Sequence, residues 1–302
     1  MQEESGRMNI LLAVDGSDHS LAAAHMLGDL PCFPGCHLVA LMVVVPRLTS
    51  HNYYIDSVLD YTEQVLKQGN NPQVETVKLF GANPAETINQ FAQDMPADLV
   101  VVGAKGLRAT LGILLGGVAQ QVVEYATCPV LVVRAPYTAL RQVLLVTDGS
   151  PYSHLACKFL SCFALPQGTL LEVCHVRPPS QVLTSTAYAY RGMEAVDLAP
   201  MVPDMLLAQE KQEAADLAYG NQVLAESTRT LEQMGVPVAR SIHLIGDAAT
   251  EILAYADDYP VDLIVAGSRG LSQVQGWLLG SVSRKLVHYA PCSVLIVKGE
   301  AA

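Results

Sequence analysis

Residues 262–271 contain the pattern from which the fold follows, and they read Asp262-Leu263-Ile264-Val265-Ala266-Gly267-Ser268-Arg269-Gly270-Leu271. A close copy stands earlier in the chain as Asp98-Leu99-Val100-Val101-Val102-Gly103-Ala104-Lys105-Gly106-Leu107. A short apolar run followed by a glycine-rich turn is typical of a buried strand and a tight loop. Its recurrence predicts that the chain contains an internal repeat.

Two further blocks repeat in the same order. The block Asn9–Ser17 returns as Gln142–Ser150, and the block Tyr125–Val133 returns as Tyr289–Val297. Three matched blocks in one order are difficult to obtain by chance. The sequence therefore predicts two tandem copies of one domain.

Within each copy, apolar strand-like runs alternate with longer mixed segments. The predicted strands of the first copy are Ile10–Val14, Leu38–Val45, Val74–Leu79, Leu99–Val102 and Val130–Val133, and the predicted helices are Ser17–Leu27, Tyr54–Lys67, Pro84–Gln93 and Val118–Tyr125. This alternation predicts an α/β fold in which each domain is a doubly wound, five-stranded parallel sheet flanked by helices. Ligands of such sheets bind outside the carboxyl ends of the strands. We therefore expect the functional loops after the first, second and fourth strands.

The two predicted domains span residues 1–136 and 141–302, and they differ in length. The second has extra residues, mainly at 179–209, followed by a helical pattern from about Glu210 to Met234. The extra segment is interpreted as a surface loop, with a lid over a ligand or a surface for a protein partner as the alternatives.

Composition narrows the class of protein. The formal net charge of −11 argues against nucleic acid or an anionic membrane as the main partner. The polar start of the chain and the short apolar run after it fit neither a signal peptide nor a membrane span. The seven cysteines lack paired CxxC spacing, which predicts a cytoplasmic protein with reduced thiols. Cys32 and Cys36 are interpreted as free, with a redox pair as the alternative.

The strongest functional signal is the glycine-rich loop after the fourth strand of the second copy. Gly267 and Gly270 are followed after nine residues by Gly280 and Ser281, which open a predicted helix. Glycines let the backbone approach a ligand closely, and a helix N-terminus offers unpaired N–H donors to a phosphate. The Ser281 and Ser283 hydroxyls are further candidate donors. Glycines also serve as simple turns, but their spacing here favours a phosphate-binding loop.

The first copy keeps the glycine spacing but not the serine. Gly103, Gly106 and Gly116 match, whereas Gly117 takes the place of the serine hydroxyl. Additional glycine also makes the loop costlier to order around a ligand. The sequence therefore predicts weaker binding, or none, in the first copy.

Two further positions fall at strand ends. Asp15 and Asp148 follow the first strand of each copy, where a carboxylate acts either as a helix cap or turn former, or as a ribose or base contact. Val43 and Val176 lie at the end of the second strand of each copy. Their backbone groups are candidates for contact with an adenine edge, and the alternative is that both are ordinary core residues. His175 is interpreted as a packed, hydrogen-bonded histidine and not as a catalyst.

These motifs resemble the universal stress protein family, in particular its tandem, ATP-binding members. The resemblance covers nearly the whole chain and implies adenine nucleotide α-hydrolase-like domains that hold ATP, with Mg²⁺ as a candidate companion ion. It implies nucleotide contacts from Asp148, Val176, Gly267, Arg269, Gly270, Gly280, Ser281 and Val282 in the second copy, and from Asp15, Val43, Gly103, Gly106 and Gly116 in the first. It also implies pairing through the last strands, Val130–Val133 and Val294–Val297, with a further homodimer.

Three functions compete at this point. The first is a stress-response regulator that binds ATP with little or no turnover, mainly in the second domain. It is favoured because the sequence has no Gly-x4-Gly-Lys-Ser/Thr loop and no recognisable base or metal cluster. The second is a slow ATPase in which Asp148 or His175 positions water or a metal. The third is a dimerisation scaffold whose first domain has lost its ligand.

Overall fold

The computed structural model describes residues 8–31, 36–46, 52–69, 73–107, 112, 114–163, 165–179, 202–271 and 279–299. The strands are β1 Asn9–Ala13, β2 His37–Val44, β3 Val74–Phe80, β4 Leu99–Gly103, β5 Val130–Val133, β6 Gln142–Val146, β7 Leu170–Arg177, β8 Arg240–Ile245, β9 Leu263–Gly267 and β10 Ser293–Val297. The helices are α1 Asp18–Asp29, α2 Asn52–Gln68, α3 Pro84–Asp94, α4 Gly117–Tyr125, α5 Pro151–Cys162, α6 Val202–Gln233, α7 Ala248–Asp258 and α8 Ser281–Tyr289.

The strands form one ten-stranded sheet in the order β3-β2-β1-β4-β5-β10-β9-β6-β7-β8. Every neighbouring pair is parallel except β5 and β10, which run antiparallel with Leu131 opposite Leu295. Each domain therefore contributes a five-stranded parallel half-sheet, and the halves join along their last strands. The predicted α/β class and the predicted pairing of the last strands within the chain are both confirmed.

Two apolar cores cover the two faces of the sheet, and each runs through both domains. Leu12 and Leu145 are fully buried on the face covered by α1, α2, α5 and α6. Leu11 and Leu144 are fully buried on the opposite face, against α3, α4, α7 and α8. Since successive strand residues point to opposite faces, burial on both sides explains why the strands read as continuous apolar runs.

The long helix of the second domain begins earlier than the sequence predicted. It starts at Val202, so residues 202–209 of the predicted extra segment are helical. Residues 180–201, and Cys32 of the predicted cysteine pair, lie outside the described residues. Of the described cysteines, Cys128, Cys157, Cys162, Cys174 and Cys292 are free thiols.

A reciprocal pair of cations joins the domains beside β5 and β10. Arg134, just after β5, donates to the carbonyl oxygens of Val287 (2.9 Å) and His288 (3.2 Å) near the end of α8. Lys298, just after β10, donates from Nζ to the Ala126 carbonyl oxygen at 2.7 Å, beyond the end of α4. Carbonyls at a helix C-terminus lack intrahelical partners and carry partial negative charge. Each domain thus places a cation at the end of a helix in the other.

Lys298 makes the free energy of unfolding change with pH in the alkaline range. Its side chain is only 9% exposed, and burial lowers its pKa from the usual 10.5 to about 8, with Arg269 lowering the pKa further and Cys128 and Glu124 opposing the shift. Between pH 8 and 10.5 the unfolded chain holds this proton and the folded chain does not. The free energy of unfolding should therefore rise with pH in this window, by on the order of 3 kcal/mol.

The measurement is urea unfolding at pH 8 and at pH 10 for the wild type and for Lys298→Met. Thiols and tyrosines titrate in both proteins, so the difference between the two isolates Lys298. We expect the wild type to gain stability relative to Lys298→Met as the pH rises. An equal pH dependence of the two proteins would contradict the assignment.

Candidate functional site

A cavity of about 860 Å³ opens at the carboxyl ends of the first domain's strands. Its volume falls within the roughly 300–1,000 Å³ of typical ligand pockets. The residues predicted for the first site all line it, namely Asp15, Val43, Gly103, Gly106 and Gly116. The loops after β1, β2 and β4 therefore meet around one space, although they are far apart in the sequence.

Asp15 connects two of these loops. Its Oδ1 accepts a hydrogen bond from the Ser17 N–H at 3.0 Å, and its Oδ2 accepts one from the Leu107 N–H at 3.0 Å. It does not cap α1, because Ser17 does so by accepting the Ser20 N–H at 3.3 Å. The helix-cap part of the alternative is therefore wrong, whereas the turn-forming part is confirmed by the bond to Ser17, two residues on. An ionised carboxylate offers about four lone-pair sites, so acceptor capacity remains for a ligand hydroxyl.

Asp148 repeats this arrangement in the second domain. Its Oδ1 accepts the Ser150 N–H at 3.0 Å and its Oδ2 accepts the Leu271 N–H at 3.1 Å. The cap of α5 is again the serine, which accepts the Ser153 N–H at 3.3 Å. Both domains thus use the carboxylate to hold the β1-type loop against the glycine-rich loop.

The second glycine of each loop leaves room for that carboxylate. A Cβ added at Gly106 would lie 2.5 Å from Asp15 Oδ2, and a Cβ at Gly270 would lie 2.5 Å from Asp148 Oδ2. Any side chain at these positions would displace the aspartate. The small size of these glycines is required by the protein's own contacts as well as by a close ligand.

The first glycine of each loop has a packing role that the sequence did not reveal. A Cβ on Gly103 would lie 2.7 Å from the backbone carbon of His19 in α1, and one on Gly267 would lie 2.7 Å from that of Tyr152 in α5. These glycines let the helix after the first strand lie close against the fourth strand. Glycine is required at these two positions by helix–strand packing and not by contact with a ligand.

The helices that follow the glycine-rich loops begin without a side-chain cap. Gly116 precedes α4 and Gly280 precedes α8, and neither supplies a capping hydrogen bond. The N–H of each glycine bonds back to the strand end, at 2.7 Å to the carbonyls of Ala104 and Ser268 respectively. The following N–H groups of the first helical turn lack intrahelical partners, and the dipole favours an anion there. Both domains therefore present N–H donors in an arrangement that suits an anion, which makes each helix start a candidate phosphate-type site.

The two predicted serine donors of the second domain differ in availability. Ser283 is buried, and its Oγ donates to the Gly267 carbonyl oxygen at 2.7 Å. Its hydroxyl anchors α8 to β9, so the expectation that it donates to a ligand is wrong. Ser281 is exposed at the first position of α8 and Val282 is half-buried beside it. Ser281 remains the candidate hydroxyl donor.

Arg269 lies over an aromatic ring of its own domain. Its guanidinium carbon is 5.6 Å from the ring centre of Tyr152, and its Nη1 is 3.3 Å from the tyrosine hydroxyl. A guanidinium over an aromatic face is stabilised by the ring quadrupole. This contact orients the arginine beside Gly270 without neutralising its charge.

The strand residues predicted to face the base lie where expected in the sheet. Val176 is half-buried near the end of β7, opposite Leu244. His175 is 4% exposed, and its Nδ1–H donates to the Thr147 carbonyl oxygen at 2.9 Å. Its ring packs 5.5 Å from that of His243, centre to centre. His175 is therefore the packed histidine that the sequence predicted.

A pair of tyrosines near the aspartates was missed. Tyr54 lines the first-domain cavity, and Tyr219 donates from its hydroxyl to the Asp148 carbonyl oxygen at 3.1 Å. The hydroxyl end of each tyrosine lies beside the glycine after the aspartate, where Gly16 and Gly149 have φ of +81° and +78°. The tyrosines occupy matching places on α2 and α6, but the extra segment of the second domain changes their spacing and hides the match.

The described residues contain neither a metal-binding cluster nor a membrane-spanning helix. No group of three or more His, Cys, Asp or Glu side chains is placed to hold a metal ion there. None of the helices in that part of the chain is long and apolar enough to cross a membrane.

Comparison with known proteins gives matches along the whole chain. A model of the universal stress protein family matches residues 6–134 and again residues 139–298. A universal stress protein of Mycolicibacterium smegmatis is 24% identical over 316 aligned positions, which cover 99% of each chain. The universal stress protein YxiE of Bacillus subtilis is 32% identical over 159 residues, covering 52% of this chain and 98% of its own.

Solved structures share the fold. A universal stress protein from Archaeoglobus fulgidus superposes with a TM-score of 0.56 at 21% identity and covers 96% of both chains. A second, from Pseudomonas aeruginosa and described as a putative universal stress protein, gives a TM-score of 0.61 at 15% identity, covering 96% of this chain and 92% of its own. Since the family match covers most of the sequence and occurs twice, the chain belongs to the universal stress protein family and carries its domain in tandem.

Proposed function

We propose that the protein binds ATP in the crevice of each domain, more tightly in the second, and acts through the occupancy of these sites with little or no turnover. One observation carries the proposal. In the first domain, the Asp15 carboxylate and the uncapped start of α4 line the same cavity. A nucleotide needs an acceptor for ribose hydroxyls and donors for phosphates, and this cavity offers both.

The cavity also suits a purine. Its described lining is largely apolar and includes Met42, Val44 and Ile88 beside the candidate Val43. Apolar walls bury the faces of a base, and backbone groups at a strand end are available for its edge. In this arrangement the base lies towards β2, the ribose near Asp15 and the phosphates at α4.

The chemistry of the lining supports binding over hydrolysis. The only carboxylate among the described residues that line the cavity is Asp15, and in the proposed arrangement its remaining acceptor capacity serves the ribose and not a water at the phosphates. A general base needs a free oxygen within hydrogen-bond reach of a water. Fast turnover is therefore not expected, and slow ATP hydrolysis is the competing outcome.

The function is tested by identifying nucleotide released from the purified protein and by calorimetry with ATP, ADP and AMP. We expect up to two ATP per chain and no steady phosphate release with magnesium. No binding at millimolar nucleotide would overturn the proposal. One bound ATP per chain would identify the first domain as a scaffold, and sustained phosphate release would identify a slow ATPase.

The difference between the two sites can be reduced by one substitution. A Cβ at Gly117 meets nothing within 4 Å, so Gly117→Ser places a hydroxyl at the first turn of α4 without a clash. One added hydrogen bond should tighten first-site binding about three- to tenfold, since such a bond contributes about 1 kcal/mol. Calorimetry measures the change.

Two matched variants control this experiment. Gly117→Ala has the same backbone effect without the hydroxyl and should leave the affinity nearly unchanged. Ser281→Ala removes the corresponding hydroxyl from the second domain and should weaken that site by a similar factor. Equal affinities of Gly117→Ser and Gly117→Ala would show that the hydroxyl has no role.

A further inference from the structure

Arg134 contacts the loop that leads into the first candidate site and the far end of the helix that begins at the second. Its Nη1 donates to the Leu114 carbonyl oxygen at 2.7 Å, and its Nη2 donates to the carbonyl oxygens of Val287 and His288. Its backbone N–H also donates to the buried Ser293 hydroxyl at 3.2 Å. One guanidinium therefore bridges two elements that are more than 150 residues apart in sequence.

The first of these elements is the glycine-rich loop of the first site. Leu114 lies two residues before Gly116, the residue that opens α4. The bond from Arg134 fixes the carbonyl of Leu114, and Leu115 beside it is buried. Arg134 therefore restrains the stretch of loop that delivers the backbone to the phosphate-type site.

The second element is the helix that begins at the second site. The helix α8 starts at Ser281 and ends at Tyr289, a length of about 13 Å at 1.5 Å per residue. A cation at the C-terminal end of a helix interacts with the same dipole that attracts an anion to its N-terminal end. Arg134 therefore fixes the C-terminal end of the helix whose N-terminus forms the Gly280–Ser281 cradle.

Lys298 occupies the corresponding place on the other side of the joint. It contacts the carbonyls of Glu124 and Ala126, at the end of the helix that starts at the first site. Each phosphate-type helix is thus completed by a cation from the other domain. A movement of α8 along its axis would change the contacts of Arg134, which lies beside β5. A movement of α4 would likewise change the contacts of Lys298, which lies beside β10.

We propose that Arg134 is a positioning residue that couples the two nucleotide sites, so that filling the first site changes binding at the second. This inference rests on the proposed function. The guanidinium suits the task because its planar fork can donate to the loop and to the helix end at once, which a lysine ammonium at this position could not reproduce. Filling the first site orders the loop around Leu114, and Arg134 passes that ordering to α8.

The test uses the full chain and reads each site separately. Asp148→Ala leaves only the first site functional, and Asp15→Ala leaves only the second. In these two backgrounds Arg134→Met should weaken ATP binding at both sites by about two- to fivefold, the size expected from the loss of one side-chain hydrogen bond to the backbone. Arg134→Lys keeps the charge near α8 but loses the bridge, so it should weaken the first site and spare the second.

A second readout reports coupling directly. In the Asp148→Ala background, ATP at the first site should slow amide exchange in residues 281–289 of the second domain, and Arg134→Met or Arg134→Lys should abolish this protection. Unchanged affinities in both Arg134 variants, or protection that survives both, would overturn the inference while leaving the proposed function standing. Failure of the unsubstituted protein to bind ATP would overturn the proposed function and this inference with it. If Arg134→Met does not fold, Arg134→Lys decides the outcome alone.

Discussion

Asp148→Ala should weaken ATP binding in the second domain by about a hundredfold or more. The carboxylate accepts the N–H groups of Ser150 and Leu271, one from each loop of the site. Hydrogen bonds to a charged group contribute about 1.5–3 kcal/mol each, and about 1.4 kcal/mol is a tenfold change in affinity. Removing the carboxylate separates the two loops and also removes the acceptor proposed for the ribose. Calorimetry of the full chain should show the tighter binding event disappear.

Two controls accompany this variant. Asp148→Asn retains one oxygen acceptor and should give an intermediate loss of affinity. Its amide oxygen can accept one of the two N–H groups, but its NH2 group is a donor and cannot accept the other. Asp258→Ala removes the same charge from an exposed position at the end of α7 and should bind as the wild type does. If Asp148→Ala binds ATP with unchanged affinity, the assigned role of Asp148 is wrong.

Gly267→Ala should lower the free energy of unfolding by about 2–3 kcal/mol. The added Cβ would lie 2.7 Å from both the carbon and the oxygen of the Tyr152 carbonyl group. These are backbone atoms of a helix, so relief requires α5 to move away from β9. Overpacking of this kind usually costs about 1–3 kcal/mol. Because Ser150 caps α5 next to Asp148, binding in the second domain should weaken as well.

Urea unfolding followed by circular dichroism checks this expectation. Gly117→Ala is the matched control, since its Cβ meets nothing within 4 Å and the residue opens a helix. A lower unfolding midpoint for Gly267→Ala, with Gly117→Ala near the wild type, is the expected result. Equal midpoints would show that β9 and α5 can separate without cost.

The sequence predicted most of the fold because the information was local. Strands buried on both faces read as uninterrupted apolar runs, and the repeat identified equivalent loops in the two halves. The rule that ligands bind at the carboxyl ends of parallel strands then brought Asp15, Val43 and Gly103 to one place. The structure puts all three on one cavity.

The parts that sequence did not predict depend on contacts between distant residues. From the sequence, the Ser283 hydroxyl is a candidate donor to a ligand. In the structure it donates instead to the Gly267 carbonyl oxygen, 2.7 Å away. The role of Gly103 depends on the approach of α1, and the role of Arg134 depends on a helix of the other domain. No pattern of spacing or composition in a single sequence encodes such contacts. The start of α6 was misplaced because helical periodicity is weak before Glu210.

The antiparallel joint between β5 and β10 pairs two domains of one chain, so dilution cannot separate them. Two domains in one chain meet at an effective concentration in the millimolar range, whatever the amount of protein present. Each half can then carry its own loop, such as Gly117 in one and Ser281 in the other, without doubling the change as a symmetric homodimer would. Since both last-strand edges are already paired with each other, a second copy that adds to the sheet would have to pair with β3 or β8, the outer strands of the described part of the sheet.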